Sequence, residues 1–350
     1  MKMVKNSIKN LTAYKACDLP FTVKLDANEG KNILLEDTIK EGLKFDESFN
    51  LNYYPDDEAS LLKSEISKYV NIPRENIIVG NGSSEMIELV IKTFVDKDEI
   101  ILSPTPSFSM YSIFAEIYST KFVGVPCNED FSIDIDKLID RANEINPKII
   151  ILCNPNNPTG YLMTKKDITK LIENTSAIIV VDEAYIEFAQ GSMINEIFNY
   201  DRLIVLRTLS KALGLAGIRL GYMGANTDII EIINRVKSPY NLNSVSQYIG
   251  VQAFKNKSKI FDYVEEVKNQ RDFLYSQLKE MEIKVYNSSG NFVFFNSNIE
   301  NLYGKLADRG ILIRKFKEDL EGYYRVSVGS ENENRIFIEN LKEIIKYEKI

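Results

Sequence analysis

Lys211 stands where an apolar run, residues 203–206, gives way to a loop of small residues. A lysine at the end of a buried strand is easily desolvated, and desolvation favours the neutral amine, which is the form that attacks an aldehyde to make a Schiff base. Arg219, eight residues later, offers a planar fork suited to a phosphate. An imine-forming amine close to a phosphate anchor indicates a site for pyridoxal phosphate (PLP). The alternative is an ordinary loop lysine near a strand end, because short motifs have many false matches.

A carboxylate follows the apolar run 177–181, a pattern typical of a buried parallel strand. The next residues are Asp182-Glu183-Ala184-Tyr185, and catalytic groups in open α/β sheets collect at the carboxyl ends of the strands. We expect Asp182 to keep the pyridine nitrogen of the cofactor protonated and Tyr185 to donate a hydrogen bond to the ring oxygen. The alternative for Asp182 is a helix N-cap.

A third strand ends in a turn. The apolar run 148–153 continues into residues 154–160, Asn-Pro-Asn-Asn-Pro-Thr-Gly, whose prolines and glycine indicate a rigid turn. This turn would present the amide of Asn157 to the ring oxygen. The alternative is a plain Asn-Pro turn that binds nothing.

A glycine-containing turn lies nearer the N-terminus. The run 77–79 leads into Gly-Asn-Gly-Ser-Ser-Glu at residues 80–85, and a predicted helix follows. The free N–H groups and the positive dipole end of a helix start favour an anion such as a phosphate. An ordinary strand-turn-helix with Ser83 or Ser84 as N-cap is the alternative, and both interpretations can hold together.

The motifs in this order resemble a known enzyme family. Residues 154–160, 182–185 and 210–219 read Asn-Pro-x-Asn-Pro-Thr-Gly, Asp-Glu-Ala-Tyr and Ser-Lys-x-x-Gly-Leu-Ala-Gly-x-Arg. They resemble the fold-type I PLP-dependent enzymes of aminotransferase classes I and II and, among these, are most similar to the histidinol-phosphate aminotransferases. The resemblance runs from about Lys24 to the C-terminus. It implies an α/β fold with a large PLP-binding domain on a mostly parallel sheet, a small α+β C-terminal domain, and amino transfer from L-histidinol phosphate to 2-oxoglutarate.

The resemblance also implies which aromatic residues meet the cofactor. Phe108 matches the residue that stacks on the ring, with Tyr111 second. Core packing is the alternative for both and is the favoured interpretation for Tyr111. Tyr54 matches a tyrosine that reaches the PLP phosphate of a partner subunit, which implies a homodimer.

The phosphate site is the second part that the resemblance assigns. Ser83 and Ser84 lie in the turn that holds the phosphate in the family, with Ser84 where the family commonly has Asp. Ser210 would support the phosphate beside Arg219, and Thr208 would do the same unless it is only a strand-end residue.

Substrate contacts are implied in the N-terminal arm and near the C-terminus. Arg325 matches the arginine that holds the anionic end of the substrate, and Arg314 matches a second arginine that grips the substrate phosphate in histidinol-phosphate aminotransferases. Asn28 lies in a segment that resembles the family's Leu-x-x-Asn-Glu-Asn-Pro. Gly30-Lys31 replaces the final Asn-Pro, a departure at the substrate entrance.

Other functions share these motifs. Threonine-phosphate decarboxylase, a related PLP lyase, has most of the same cofactor site, but its lysine segment typically lacks the Gly-Leu-Ala-Gly seen at 214–217. Aromatic amino acid transamination is a further alternative. A non-catalytic PLP-binding regulatory module is disfavoured by the intact Lys211 and by the lack of an attached DNA-binding domain.

Composition narrows the classes of partner and chemistry. The chain has 350 residues, a net charge of −7 and no dense basic run, so neither nucleic acid nor an anionic membrane surface is an expected partner. It has no histidine, which excludes histidine triads and histidine metal ligands, and no metal site is predicted. Cys17, Cys127 and Cys153 show no paired spacing, and together with the lack of a signal peptide or a membrane-spanning run they predict a cytoplasmic protein.

The organisation predicted along the chain is an arm at 1–30, a large domain at 31–255 and a small domain at 256–350. Alternating apolar runs and helical stretches from 99 to 205 predict βαβ units and a mostly parallel sheet. A helix over 57–70 is predicted to have an acidic first turn and an apolar face of Leu61, Leu62, Ile66 and Val70. One long helix is predicted over 258–281.

Overall fold

The computed structural model describes residues 4–9, 11–13, 19–31 and 49–348, so Cys17 lies outside the described residues. The strands are β1 (Val23–Leu25), β2 (Ile77–Asn81), β3 (Ile100–Thr105), β4 (Lys121–Pro126), β5 (Ile149–Cys153), β6 (Ile178–Asp182), β7 (Leu203–Thr208), β8 (Leu220–Ala225), β9 (Lys284–Tyr286), β10 (Phe292–Asn296), β11 (Ile311–Lys315) and β12 (Tyr323–Ser327). The α-helices are α1 (Ser60–Val70), α2 (Gly82–Phe94), α3 (Met110–Tyr118), α4 (Ile135–Ile145), α5 (Lys165–Glu173), α6 (Thr227–Asn234), α7 (Ser244–Lys255), α8 (Lys257–Glu280), α9 (Leu302–Ala307) and α10 (Glu331–Glu348).

Seven strands form the larger sheet in the order β2-β8-β7-β6-β5-β3-β4. The strands β3 to β7 run parallel to one another, and β8 is antiparallel to both of its neighbours. The central strands β5, β6 and β7 are buried on both faces, as their continuous apolar sequences require. The predicted α/β architecture with a mostly parallel sheet is confirmed.

The carboxyl ends of β5, β6 and β7 lie side by side. In the parallel ladder Cys153 pairs with Asp182, and Asp182 pairs with Leu206. Side chains alternate between the two faces, so Val180 belongs to one apolar core cluster while Ile179 and Val181 belong to the other. The turn at 154–160, Asp182 and the Lys211 loop therefore all leave the sheet at one edge.

A second sheet of five strands has the order β1-β11-β12-β10-β9. Four of these strands come from the C-terminal part and are antiparallel, whereas β1 comes from the N-terminal arm and pairs parallel with β11. The predicted long helix is present as α8, at Lys257–Glu280. The division at 1–30, 31–255 and 256–350 stays a prediction, with the addition that the arm contributes a strand to the C-terminal sheet.

The predicted helix over 57–70 is wrong at its first turn. Helix α1 begins at Ser60, because Ala59 adopts a left-handed conformation and the carboxylate of Asp56 accepts the Ser60 N–H at 2.7 Å. The expected position of Leu61 on the apolar face is also wrong, since its side chain is 76% exposed. Leu62, Ile66 and Val70 are buried as expected.

No helix among the described residues is long and apolar enough to cross a lipid bilayer. Within the same residues, no group of three or more cysteine, aspartate or glutamate side chains is arranged to hold a metal ion.

Candidate active site

A cavity of about 250 Å³ lies at the edge of the larger sheet where β5, β6 and β7 end. It brings together ten of the residues that the sequence predicted, from segments far apart in the chain. The predicted residues lining it are Ser83, Ser84, Phe108, Asn157, Asp182, Tyr185, Thr208, Ser210, Lys211 and Arg219. Cys153 also lines it but is buried, and its Sγ lies 3.4 Å from the Pro155 carbonyl oxygen.

Lys211 reaches the cavity from the loop after β7. Its Nζ donates to the backbone carbonyl of Ala27 at 3.0 Å and lies 5.7 Å from the centroid of the Tyr185 ring. Burial, with the nearby positive charges of Arg325 and Arg219, lowers the pKa of Lys211 from 10.5 to about 7. A substantial fraction of this amine is therefore neutral near pH 7, which makes it a nucleophile and a proton acceptor.

Asp182 is the last residue of β6 and is 2% exposed. One carboxylate oxygen accepts the hydroxyl of Tyr111 at 2.9 Å, and the other accepts the N–H of Ala184 at 3.2 Å. Burial raises the pKa of Asp182 to about 6, whereas the hydrogen bonds from Tyr111 and Ala184 oppose that rise. The N-cap alternative does not apply, because the short helix that follows begins at Ile186 and has Tyr185 at its N-cap.

Tyr111 is wholly buried behind Asp182. Its ring lies edge-on to Phe108, with 5.6 Å between the ring centroids. Phe108 lines the cavity and Tyr111 does not, so the core alternative is the better description of Tyr111. Its hydrogen bond to Asp182 was not anticipated from the sequence.

Polar side chains from both sheets meet on one side of the cavity. The Arg325 guanidinium on β12 donates to the Asn157 side-chain oxygen at 2.5 Å and to the Asp26 carbonyl at 2.8 Å. The Asn28 side chain donates to the Tyr185 hydroxyl at 3.1 Å, and the Asn28 N–H donates to the Ser327 hydroxyl at 2.8 Å. The arm is thereby bonded both to the larger sheet and to the C-terminal sheet.

The start of α2 forms the opposite end of the cavity. Ser83 and Ser84 lie inside the first turn, because the helix begins at Gly82. Their predicted alternative role as N-cap is therefore wrong. A side chain at Gly221 would place its Cβ 2.4 Å from the Gly82 carbonyl carbon, so only glycine lets β8 pass this close to the helix start. The turn is built for close backbone approach, as an anion site requires.

Three further side chains lie near this helix start. Arg219 is exposed, and its Nη2 lies 2.9 Å from where a Cβ on Gly82 would be. The Thr208 hydroxyl donates to the Ser210 hydroxyl at 2.9 Å, and both residues line the cavity. The N–H groups at the start of α2, the hydroxyls of Thr208 and Ser210, and the Arg219 guanidinium are thus gathered at one end of the cavity.

Four predicted residues do not line the cavity: Arg325 and Asn28, which bond to residues that do, and Tyr54 and Arg314. The Tyr54 side chain is 81% exposed and its ring stacks on Tyr240 with the centroids 4.6 Å apart. Arg314 is exposed on β11 and pairs in register with Arg325 on β12. Opposite residues of an antiparallel pair project from the same face of the sheet, so Arg314 and Arg325 share a face.

The arm also contributes groups that the sequence did not indicate. The Ala27 carbonyl receives the amine of Lys211, and Glu29 lines the cavity while bonding to Lys24. Gly30, the departure from the family pattern, lies against the Lys211 loop. A Cβ at Gly30 would be 2.1 Å from the Lys211 carbonyl oxygen and 3.0 Å from the Gly214 Cα.

We expect Gly30→Ala to move the arm away from the Lys211 loop. The overlap with backbone atoms corresponds to a loss of about 1–3 kcal/mol in the free energy of unfolding, together with reduced activity. Gly217→Ala is the matched control, because a Cβ there meets nothing within 4 Å. Thermal unfolding of both variants tests this, and equal behaviour of the two would contradict the close packing of the arm.

The cavity combines the Lys211 amine, whose lowered pKa favours the neutral form, with the buried Asp182 carboxylate, the aromatic ring of Phe108 and a helix start suited to an anion. These are the groups needed to bind a phosphorylated aromatic aldehyde and to handle a proton beside it.

Comparison with known proteins identifies the family of the chain. Residues 22–341 match the family model described as aminotransferase class I and II. The chain is 40% identical over 347 residues, 98% of this chain and 99% of the other, to a protein named histidinol-phosphate aminotransferase from Caldanaerobacter subterraneus subsp. tengcongensis.

Solved structures give the same result. The histidinol-phosphate aminotransferase from Clostridium acetobutylicum is 29% identical with a TM-score of 0.82, covering 92% of this chain and 98% of that one. The fold also matches that of a histidinol-phosphate aminotransferase from Sinorhizobium meliloti, solved in complex with pyridoxal-5'-phosphate, with a TM-score of 0.87 at 19% identity and coverage of 99% and 98%. The protein belongs to the class I and II aminotransferase family.

Proposed function

We propose that the protein is a PLP-dependent aminotransferase that converts L-histidinol phosphate and 2-oxoglutarate into imidazole-acetol phosphate and L-glutamate, a step of histidine biosynthesis. The observation that carries this proposal is that the amine of Lys211 and the carboxylate of Asp182 line one cavity with the start of helix α2. The 40% identity to a histidinol-phosphate aminotransferase over nearly the whole chain supports the choice of substrate.

The cavity fits PLP at each of its parts. The Gly82 turn, which a Cβ at Gly221 would obstruct, is suited to the phosphate, with Ser83, Ser84, Ser210 and Arg219 around it. Phe108 would stack on the ring, and Asn157 and Tyr185 would hydrogen-bond the ring oxygen. Asp182 would face the ring nitrogen, and Lys211 would hold the aldehyde carbon.

Bound PLP supplies an electron sink that stabilises negative charge at the Cα of an amino acid. The residues of the chain supply the proton handling. The Nζ of Lys211, with its pKa lowered to about 7, can accept a proton from the donor Cα and return it to a neighbouring carbon. The carboxylate of Asp182 would stabilise the positive charge of a protonated cofactor ring nitrogen. The hydrogen bond from the Tyr111 hydroxyl favours the ionised form of that carboxylate.

Arginines on the C-terminal sheet fit a substrate phosphate. Arg325 is buried and already donates to Asn157, so it links the substrate side of the site to the residue proposed to bind the ring oxygen. Arg314 shares its face of the sheet and is exposed. Two guanidinium groups suit a phosphate dianion better than a single carboxylate. Asn28 holds the arm over this region through Tyr185 and Ser327.

A homodimer is part of the proposal. Leu51, Tyr53, Tyr54 and Tyr240 are exposed, and the rings of Tyr54 and Tyr240 stack on each other, which suits burial against a second copy of the chain. The exposed Tyr54 would then approach the phosphate site of the partner subunit. Sedimentation of the purified protein at the mass of two chains is the expected result. A monomer with full activity would contradict this arrangement.

We place the protein in the cytoplasm. The free thiols of Cys127 and Cys153 support a reducing compartment.

The test of the proposed reaction is a comparison of three amino donors. Purified protein with added PLP and 2-oxoglutarate is assayed with histidinol phosphate, threonine phosphate and phenylalanine, while glutamate and carbon dioxide are measured. We expect glutamate from histidinol phosphate at the highest kcat/KM. Carbon dioxide from threonine phosphate would indicate a lyase, faster turnover of phenylalanine an aromatic aminotransferase, and bound PLP without turnover a binding module.

Arg314→Ala is expected to raise KM for histidinol phosphate about 10–100-fold with little change in kcat, because one charged hydrogen bond to the phosphate is lost. KM for phenylalanine, which has no phosphate, should stay the same. Lys317→Ala, which removes a neighbouring exposed cation, is the matched control. An equal rise in KM for both donors would contradict the phosphate contact.

A further inference from the structure

A buried ion pair lies directly behind the strand ends that carry the candidate active site. Glu183 directly follows Asp182, the last residue of β6, and Arg207 directly precedes Thr208, the last residue of β7. The Arg207 Nε and Nη2 each lie 3.0 Å from Glu183 Oε2, and the two side chains are 9% and 0% exposed. Neither residue lines the cofactor cavity, so the proposed chemistry does not use them directly.

The alternation of side chains explains this placement. Asp182 and Thr208 line the cavity, and each is adjacent in sequence to one member of the ion pair. The Glu183 N–H donates to the Leu206 carbonyl at 2.8 Å, which continues the backbone pairing with β7 one residue past the end of β6. Beyond it, β6 leads into the short helix Ile186–Phe188, and β7 leads into the Lys211 loop.

The ion pair is also bonded to the loop that follows the short helix. Glu183 accepts the Ser192 hydroxyl at 2.7 Å and the Met193 N–H at 2.6 Å, and Arg207 donates to Ser192 at 2.6 Å. The carboxylate of Glu187 lies 3.5 Å from Arg207 on the same side. Each member therefore has a defined set of partners and little freedom to move.

A gain in the free energy of unfolding does not by itself explain why a buried ion pair stands at this position. Removing two charges from water costs free energy that their attraction often fails to recover, and apolar replacements of similar size are frequently as stable. A buried pair with directional bonds does fix relative position, which an apolar contact does poorly. At this place in the fold, the positions it fixes are the ends of β6 and β7.

We propose that the Glu183–Arg207 pair is a positioning device for the reaction, which holds the carboxylate of Asp182 and the amine of Lys211 at their working separation. Arg207 and Glu183 act through these two groups and do not touch the substrate. This inference rests on the proposed aminotransferase function.

The test uses Glu183→Gln, which removes the charge and keeps one of the two acceptor oxygens, and Arg207→Lys, which retains the charge but loses the planar guanidinium. Each is loaded with PLP, and kcat, the donor KM and the pH midpoint of the cofactor absorbance are measured. We expect kcat to fall about 10–100-fold, since small displacements of reacting groups have effects of this size. The midpoint should shift, with KM for the donor nearly unchanged.

Val205→Ala is the matched control, because Val205 is wholly buried in the same strand two residues from Arg207 and lies outside the site. It should lower the thermal midpoint while leaving kcat and the pH midpoint unchanged. The proposal would be overturned if Glu183→Gln and Arg207→Lys fold and behave like this control. It would also be overturned if neither variant folds, because the pair would then be structural. An inactive wild-type protein would instead count against the proposed function.

Discussion

Lys211→Ala is expected to lower aminotransferase activity by about 10⁴-fold, the upper range for loss of a positioned acid–base group. The same substitution removes the only lysine amine lining the cavity within the described residues, so covalent attachment of the cofactor aldehyde should be lost as well. Lys68→Ala is the control, because Lys68 is an exposed lysine on α1. Steady-state kinetics with saturating PLP measure the effect, and activity within tenfold of wild type would contradict the assignment.

The pH dependence of stability gives an independent test of the environment of Lys211. Its pKa is about 7 in the folded protein and near 10.5 when unfolded, so between these values only the unfolded chain holds the proton. The free energy of unfolding of the cofactor-free protein should therefore contain a contribution that increases with pH over this window. Lys211→Met should remove that contribution and be more stable than wild type near pH 7. Equal slopes for the two proteins in urea unfolding at several pH values would show that Lys211 is solvated.

Asp182→Asn is expected to lower kcat about 10²–10³-fold, as is typical when one preorganised electrostatic partner of a reacting group is removed. Asparagine keeps one acceptor oxygen for the Ala184 N–H, and its NH2 group can donate to the Tyr111 hydroxyl oxygen, so the fold and the binding of PLP should be retained. The effect therefore reports the missing charge. Asp262→Asn, an exposed change on α8, is the control.

The same variant should change the pH dependence of stability. In the folded cofactor-free protein the pKa of the Asp182 carboxyl is raised from 3.8 to about 6, so between these values only the folded chain holds the proton. The free energy of unfolding of the cofactor-free protein should therefore contain a contribution that decreases as the pH rises through this window. Asp182→Asn should lack that contribution. Equal slopes for the two proteins in urea unfolding at several pH values would show that the Asp182 carboxyl is solvated.

Much of the site could be predicted because each residue type has a reason to stand at the end of a buried strand. The apolar runs before Asn154, Asp182 and the Lys211 loop encode burial on both faces, and parallel strands place their carboxyl ends at one edge. The order of the motifs then identified the family. These signals are local, so a single sequence contains them.

Other features depend on pairings between distant segments. The Ala27 carbonyl that receives Lys211 is a backbone group 184 residues away and has no sequence signature. Strand β1 joins β11 across most of the chain, and three residues give too little pattern to predict a partner. The exposure of Leu61 followed from the left-handed Ala59, which composition does not indicate. Tyr111 was correctly expected in the core, but its bond to Asp182 required the position of α3 relative to β6.

The most direct test of the account is to locate the lysine that binds the cofactor aldehyde. Wild-type protein is incubated with PLP, reduced with borohydride, digested and analysed by peptide mass spectrometry, with Asp182→Asn and Lys211→Ala treated in parallel. We expect one phosphopyridoxyl group per chain, on Lys211, in the wild type and in Asp182→Asn, and none in Lys211→Ala. A stoichiometric label on any other lysine, or unchanged labelling of Lys211→Ala, would contradict the site described here.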